Sequence, residues 1–169
     1  MKTIKTLLIL SSLFFLNYIC AQQIEITEKN IINVFKKTID QESRTKIRTF
    51  SNPWTSDNSS DIYFKSDTIT FTNSKNNNFC KDINWTFYRK NKFIRTFGNH
   101  CEEPPTYSAT KIIDYFEIKF REIGEKKYLE LYNQEKLIEK FEIISLETTQ
   151  SLSYKNVITY SLKLRRENI

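Results

Sequence analysis

Glycine, histidine and cysteine are scarce in this chain, and each shortage excludes a class of site. The 169 residues include two glycines, one histidine and three cysteines. A phosphate-binding loop or a dinucleotide-binding turn needs several glycines at fixed spacing, so both are excluded. The single His100 excludes the two-histidine zinc motifs and the multi-histidine metal cages. We therefore predict no metal, no cofactor and no catalytic residues, and hence a protein that is not an enzyme.

The first 21 residues have the composition of a secretory signal peptide. Lys2 and Lys5 give a positive start, a mostly apolar run follows over 6–16, and Ile19-Cys20-Ala21 precedes Gln22. The apolar run is shorter than the roughly 20 residues that span a bilayer. We predict cleavage between Ala21 and Gln22, no transmembrane segment in the mature chain, and a periplasmic or extracellular location.

The cysteines are placed as expected for an exported domain. Cys20 lies in the signal peptide, and a lipid anchor there is the less favoured alternative, because Asn17 and Ile19 replace the leucine and the small residue typical of such sites. Cys80 and Cys101 remain in the mature chain, where paired cysteines most often form a disulfide. Closing a loop of about 20 residues contributes roughly 3 kcal/mol to stability. Because the chain has no CxxC motif, we predict a structural Cys80–Cys101 disulfide rather than a redox or nucleophilic pair.

One helix precedes a series of strands. Residues 27–43 carry an apolar stripe at helical spacing, with Thr27 suited to the N-cap. We predict that this helix covers the core of a β domain. From about residue 46 the period changes to two, which is typical of strands with one buried and one solvated face. The alternating runs are 62–65, 68–72, 83–88, 93–97, 116–121, 128–132, 140–143 and 158–165.

This pattern predicts a single all-β domain over residues 22–169. Eight or nine short strands with short polar connections favour a closed antiparallel up-and-down barrel of about eight strands, with a sandwich as the alternative. Closure also removes exposed strand edges. Two longer gaps, 73–79 and 98–110, run into Cys80 and Cys101, so the predicted disulfide would tie both.

The chain from about residue 46 to 166 resembles the lipocalin-like domains of small secreted bacterial proteins. The string HCEEPPTY at 100–107 precedes the runs FEIKF, KYLELYN, KFEIISLE and SLKLRR. In that family a cysteine and a Pro-Pro turn precede a series of hairpins and a final leucine-rich strand, which 141–146 and 161–164 match. The resemblance implies an eight-stranded barrel that holds a small or lipophilic ligand.

Lipocalins also carry a tryptophan on the first strand, with a late arginine packed over it. In this chain Trp54 follows Asn52-Pro53, without the glycine that precedes the tryptophan in lipocalins. The resemblance implies Arg165 or Arg166 as the residue over Trp54.

Five aromatic residues are predicted to face the barrel interior and to line a ligand pocket: Phe71, Trp85, Phe87, Phe93 and Phe116. Ligand pockets are mostly apolar with few polar groups, which fits this set. An ordinary packed core is the alternative for each ring. We predict an exported, monomeric binding protein for a small apolar ligand or a protein partner.

The loop 98–110 supports a different function. Tied by the disulfide, it would serve as the contact surface of an inhibitor or immunity-type protein; a filled barrel would favour this function, whereas an internal cavity would favour a ligand. Glu102 and Glu103 beside His100 have the chemistry of acid/base catalysis, but no further converging group is visible. The net charge of +6 is spread along the chain, which indicates a solvated surface and no nucleic-acid site.

Overall fold

The computed structural model describes residues 22–39, 53–74, 78–108, 110–150 and 158–168. In this part of the chain there are two short helices and two 3₁₀ turns, Ser59–Asp61 and Ile112–Asp114. The helices are α1 (Glu28–Thr38) and α2 (Ile62–Lys65). The strands are β1 (Gln22–Gln23), β2 (Trp54–Asp57), β3 (Thr68–Thr72), β4 (Lys81–Arg89), β5 (Lys92–Asn99), β6 (Thr106–Tyr107), β7 (Tyr115–Ile123), β8 (Lys126–Asn133), β9 (Lys136–Gln150) and β10 (Ile158–Glu167).

Eight of these strands close into an antiparallel barrel, which confirms the predicted fold class. Around the wall the order is β10, β3, β2, β4, β5, β7, β8 and β9, and β9 pairs again with β10. The short strands β1 and β6 lie on the edges of β9 and β5. Alternation along each strand therefore separates an interior face from an outer face, as the period of two predicts.

The order of strands differs from the order of the chain at one place. β2 lies between β3 and β4, since Thr55 is opposite Thr72 on one side and Asn84 on the other. From β4 to β10 each barrel strand pairs with the next, as in an up-and-down barrel. The barrel is thus closed by the antiparallel pairing of β3 with β10.

Helix α1 covers the barrel core, as predicted. The Thr27 side chain accepts a hydrogen bond from the backbone N–H of Asn30 at 3.2 Å and caps the helix. Phe35 is buried and stacks on Phe87 near the end of β4, with ring centroids 4.2 Å apart. The helix ends at Thr38, and residues 40–43 of the predicted helix lie outside the described residues.

The strand predicted over 62–65 is wrong, because these residues form α2. The side chain of Asn58 accepts a hydrogen bond from the backbone N–H of Tyr63 at 3.3 Å, and such side-chain bonds to the backbone compete with strand pairing. Tyr63 is buried while Ile62 and Phe64 are exposed, the reverse of a strand that would bury its apolar residues Ile62 and Phe64. The turn before α2 lies beside the start of β4, whereas α1 packs near the end of that strand.

Candidate functional site

The five aromatic residues predicted to line a pocket lie together inside the barrel. Each is at most 3% exposed. The ring of Trp85 lies 4.1 Å from that of Phe71 and 4.7 Å from that of Phe93. Phe93 in turn lies 5.4 Å from both Phe87 and Phe116. Each ring therefore has another ring of the set as its neighbour, which is how a packed core is built.

The late arginine expected over Trp54 packs elsewhere. Trp54 lies beneath α1. Arg166 lies over the rings of Phe141 and Tyr63, at 4.9 and 5.1 Å from their centroids. Arg165 forms an ion pair with a glutamate of β9 at 3.4 Å. The expectation carried by the resemblance is thus corrected for both arginines.

Three charged side chains and a tyrosine meet inside the barrel beneath α2, and we call them the interior ion cluster: Tyr63, Arg95, Glu139 and Arg166. The hydroxyl of Tyr63 donates to Oε2 of Glu139 at 2.8 Å. Nη1 of Arg95 donates to Oε1 of the same carboxylate, and Nη1 of Arg166 donates to Oε2 at 3.1 Å. Nη2 of Arg166 also donates to the backbone carbonyl of Tyr63 at 2.6 Å. The cluster thereby joins α2 to β5, β9 and β10.

Interactions within the cluster keep the carboxylate of Glu139 ionised and the hydroxyl of Tyr63 protonated. Burial by itself would raise the pKa of Glu139, but the positive charge of Arg95, the hydrogen bonds from Arg95 and Tyr63, and the charge of Arg166 together hold it below its usual value. Burial and then the charge of Glu139 raise the pKa of Tyr63, so its hydroxyl keeps its proton. Two guanidinium groups therefore face one carboxylate, which leaves one positive charge uncompensated within the cluster.

Sequence analysis missed this cluster, although alternation along the strands carries its signal. A residue two positions from an inward residue also points inward. Each charged member of the cluster stands in that relation to a buried apolar residue: Arg95 to Phe93, Glu139 to Phe141, and Arg166 to Leu164. Because charges are rarely buried alone, three inward charges in an aromatic interior predict contact with one another.

The loop 98–110 is held at both of its ends. The predicted disulfide between Cys80 and Cys101 is present, with the Cα atoms 5.0 Å apart. At the other end β6 pairs with β5, and the backbone N–H of Ser108 donates to the carbonyl oxygen of Phe97 at 2.9 Å. Between these anchors, residues 101–108 are all exposed. The loop is therefore fixed in place while its side chains face solvent.

His100 is a third anchor of the loop. Its Nε2 lies 2.8 Å from Oδ2 of Asp82, and its backbone N–H donates to the carbonyl oxygen of Cys80 at 2.7 Å. The other oxygen of Asp82 accepts from the side-chain amide of Asn84 at 2.8 Å. A Cβ at Gly98 would overlap Oδ1 of Asp82 and lie 2.9 Å from Nε2 of His100. Glycine at this position thus leaves room for the pair.

The two glutamates beside His100 lie on the exposed part of the loop. Glu102 and Glu103 are both exposed, and in the described part of the chain no hydrogen bond or ion pair joins either to His100. The histidine instead pairs with Asp82, which is buried. Within the described residues, the acid/base group considered from the sequence is not assembled.

An apolar turn follows the loop along the chain. Ile112 and Ile113 are 70% and 66% exposed. The side-chain amide of Asn133 donates to the carbonyl oxygens of both, at 3.3 and 3.2 Å, and to that of Tyr115 at 2.7 Å. The backbone of the turn is therefore held in one conformation while two isoleucines face water.

An open groove of about 480 Å³ lies between the segment that follows β1 and the β7–β8 turn. Its lining contains carboxylates, lysines and isoleucines: Gln23, Ile24, Glu25, Ile26, Glu125, Lys126, Lys127, Glu142 and Ile143. None of the five predicted pocket residues lines it. In the ranges that the structure describes, no three histidine, cysteine or acidic side chains gather as metal ligands, and no helix is long and apolar enough to cross a membrane.

Known proteins offer no counterpart from which a function could be carried over. No protein-family model, no curated protein and no solved structure matches this chain. Its function therefore has to be argued from the arrangement of its own residues.

Proposed function

We propose that this chain is an exported, non-enzymatic binding protein that contacts a partner protein through the loop 98–110. The observation that carries the proposal is the combination of a loop anchored by Cys101, His100 and β6 with side chains that are exposed between those anchors. A loop held in its binding conformation loses little conformational entropy when a partner binds. The lipocalin-like resemblance supports a binding scaffold of this kind.

The chemistry of the loop favours a basic partner surface. Between Gly98 and Ser108 the loop carries two glutamates and no lysine or arginine, in a chain whose net charge is +6. Glu102 and Glu103 stand at the exposed part of the loop, next to the Pro104-Pro105 pair. Charges of this kind steer an oppositely charged partner and fix the register of the contact.

We expect a photo-crosslinking residue in place of Glu103 to give a discrete adduct with one protein in cells that export the chain. The same residue in place of Glu122, an exposed glutamate at the β7–β8 hairpin, is the matched control and should give none. A variant with both Cys80 and Cys101 replaced by serine should form the adduct about tenfold less, because a loosened loop must be ordered on binding, a difference of ~1.4 kcal/mol.

Competition separates a specific contact from chance collisions. Unlabelled wild-type protein should suppress the Glu103 adduct. Adducts of equal yield from positions 103 and 122, or an adduct that the wild-type protein does not suppress, would refute the proposal.

A second candidate function, a small lipophilic ligand with an acidic group, is supported by the uncompensated positive charge of the interior ion cluster. Because the five aromatic rings inside the barrel pack against one another, such a ligand would have to part them. This candidate predicts a higher melting temperature with long-chain fatty acids but not with their methyl esters, which lack the charge. The absence of any shift with fatty acids, haem or small terpenoids would remove it.

A further inference from the structure

Strand β1 covers an edge of the barrel wall. β9 pairs with β8 as far as Glu142, which lies opposite Tyr128, but β9 continues to Gln150. Beyond that point the side of β9 that faces away from β10 is met by β1, with Gln22 opposite Thr148 and Gln23 opposite Glu147. An uncovered strand edge is a template for pairing with other chains. The integrity of β1 therefore matters to the solubility of the protein.

The residue that begins β1 is also the residue that follows the predicted cleavage site. Both Gln22 and Gln23 are exposed. Signal-peptide removal before Gln22 would leave the strand complete and turn the backbone nitrogen of Gln22 into a free amine. A glutamine at an N-terminus has its own side-chain amide carbon within reach of that amine, because the two together close a five-membered ring.

We propose that Gln22 is the N-terminal residue of the mature chain and is converted to pyroglutamate; the proposal depends on the export proposed above, but not on the loop contact. The amine of Gln22 attacks its own Cδ, a C–N bond forms, the bond from Cδ to Nε2 breaks, and Nε2 leaves with the surplus proton as ammonia. No oxidant, reductant or second reactant is needed. Because the residue is exposed, the reaction is open to solvent and to a cyclising enzyme.

The pairing of β1 with β9 suits the product. The backbone N–H of Ile24 donates to the carbonyl oxygen of Leu146 at 2.7 Å. In an antiparallel ladder hydrogen-bonded pairs alternate, so Gln22 and Thr148, two positions further on, form the next such pair. The lactam leaves the carbonyl oxygen of residue 22 as an acceptor in this pair and removes the positive charge of the amine.

The consequence of the modification is protection of the strand that covers β9. An aminopeptidase needs a free α-amine, and removal of only two residues would take away β1 entirely. The ring blocks the first step of that removal.

Intact-mass measurement of the exported protein tests the proposal. We expect a mass lower by one ammonia than that of the chain beginning at Gln22, and resistance to an added aminopeptidase. Gln23→Ala should cyclise in the same way, whereas Gln22→Ala should be cut at the same bond, keep a free amine and be trimmed. A free amine on Gln22, cleavage at another bond, an uncleaved chain or a lipid on Cys20 would each overturn the proposal. The Glu103 adduct, measured in the same preparation, reports separately on the proposed function.

Discussion

Replacing Glu139 by alanine should lower the free energy of unfolding by about 3–5 kcal/mol. The variant would leave Arg95 and Arg166 in the barrel without their shared carboxylate, and it would also remove the acceptor of the Tyr63 hydroxyl. Uncompensated buried charge is far more destabilising than the loss of an exposed ion pair. Urea unfolding followed by tryptophan fluorescence measures the change.

Glu142 on the same strand is the matched control. It also pairs with two cations, Lys126 and Arg165, each at 3.4 Å, but both of these side chains are more than half exposed. Glu142→Ala should therefore cost about 1 kcal/mol or less. Equal losses for the two variants would mean that the interior ion cluster is no more important for stability than a surface pair.

The same carboxylate makes stability depend on pH in the acid range. Burial by itself would raise the pKa of Glu139, but the charges of Arg95 and Arg166 and the hydrogen bonds from Arg95 and Tyr63 together make it lower in the folded chain than in the unfolded chain. Its contribution is thus complete above the unfolded pKa and is lost as the pH falls through the folded pKa. In Glu139→Gln this part of the pH dependence should disappear.

Trp85→Ala should destabilise the fold by about 3–5 kcal/mol, as large aromatic deletions in cores do. The side chain is fully buried, and its ring contacts those of Phe71 and Phe93 directly. Because the surrounding rings belong to rigid strands, they can collapse only partly into the space that is left. Thermal and urea denaturation both measure the loss, and a loss under 1 kcal/mol would contradict a tightly packed interior.

A comparison of the two tryptophans separates packing from hydrogen bonding. The indole N–H of Trp54 donates to Oγ1 of Thr38 at 3.1 Å, whereas that of Trp85 has no partner among the described residues. Trp54→Phe loses this hydrogen bond and leaves a buried hydroxyl short of a donor, so it should cost more than Trp85→Phe by about 1 kcal/mol. Equal losses of stability for Trp54→Phe and Trp85→Phe would mean that both losses come from the smaller side-chain volume and none from the hydrogen bond.

Much of the fold could be predicted because each rule involved is local. Alternation of apolar residues along strands such as 116–121 depends only on which face is buried, and Thr27 caps α1 through a bond three residues away. The disulfide was predictable because only Cys80 and Cys101 lie outside the predicted signal peptide. These features need no knowledge of how the strands are arranged around the wall.

The remaining features depend on contacts between distant residues. Four residues from Ile62 to Lys65 fit a strand or one helical turn equally well, and the bond from Tyr63 to Glu139 that holds the turn joins residues 76 positions apart. The partners of Glu139 likewise come from β5 and β10. Alternation shows that these charges face inward, but that they lie at the same end of the barrel follows from the pairing of distant strands.

The place of β3 in the wall has a consequence for biosynthesis. β3 is among the first strands to be made, yet one of its two neighbours in the barrel is β10. The backbone N–H of Tyr160 in β10 also donates to the side chain of Asn73, which lies 87 positions earlier in the chain. The barrel cannot close until the last strand is present. Under the proposed export, a chain that crosses a membrane from its N-terminus would stay open during transit and would close only after β10 has emerged.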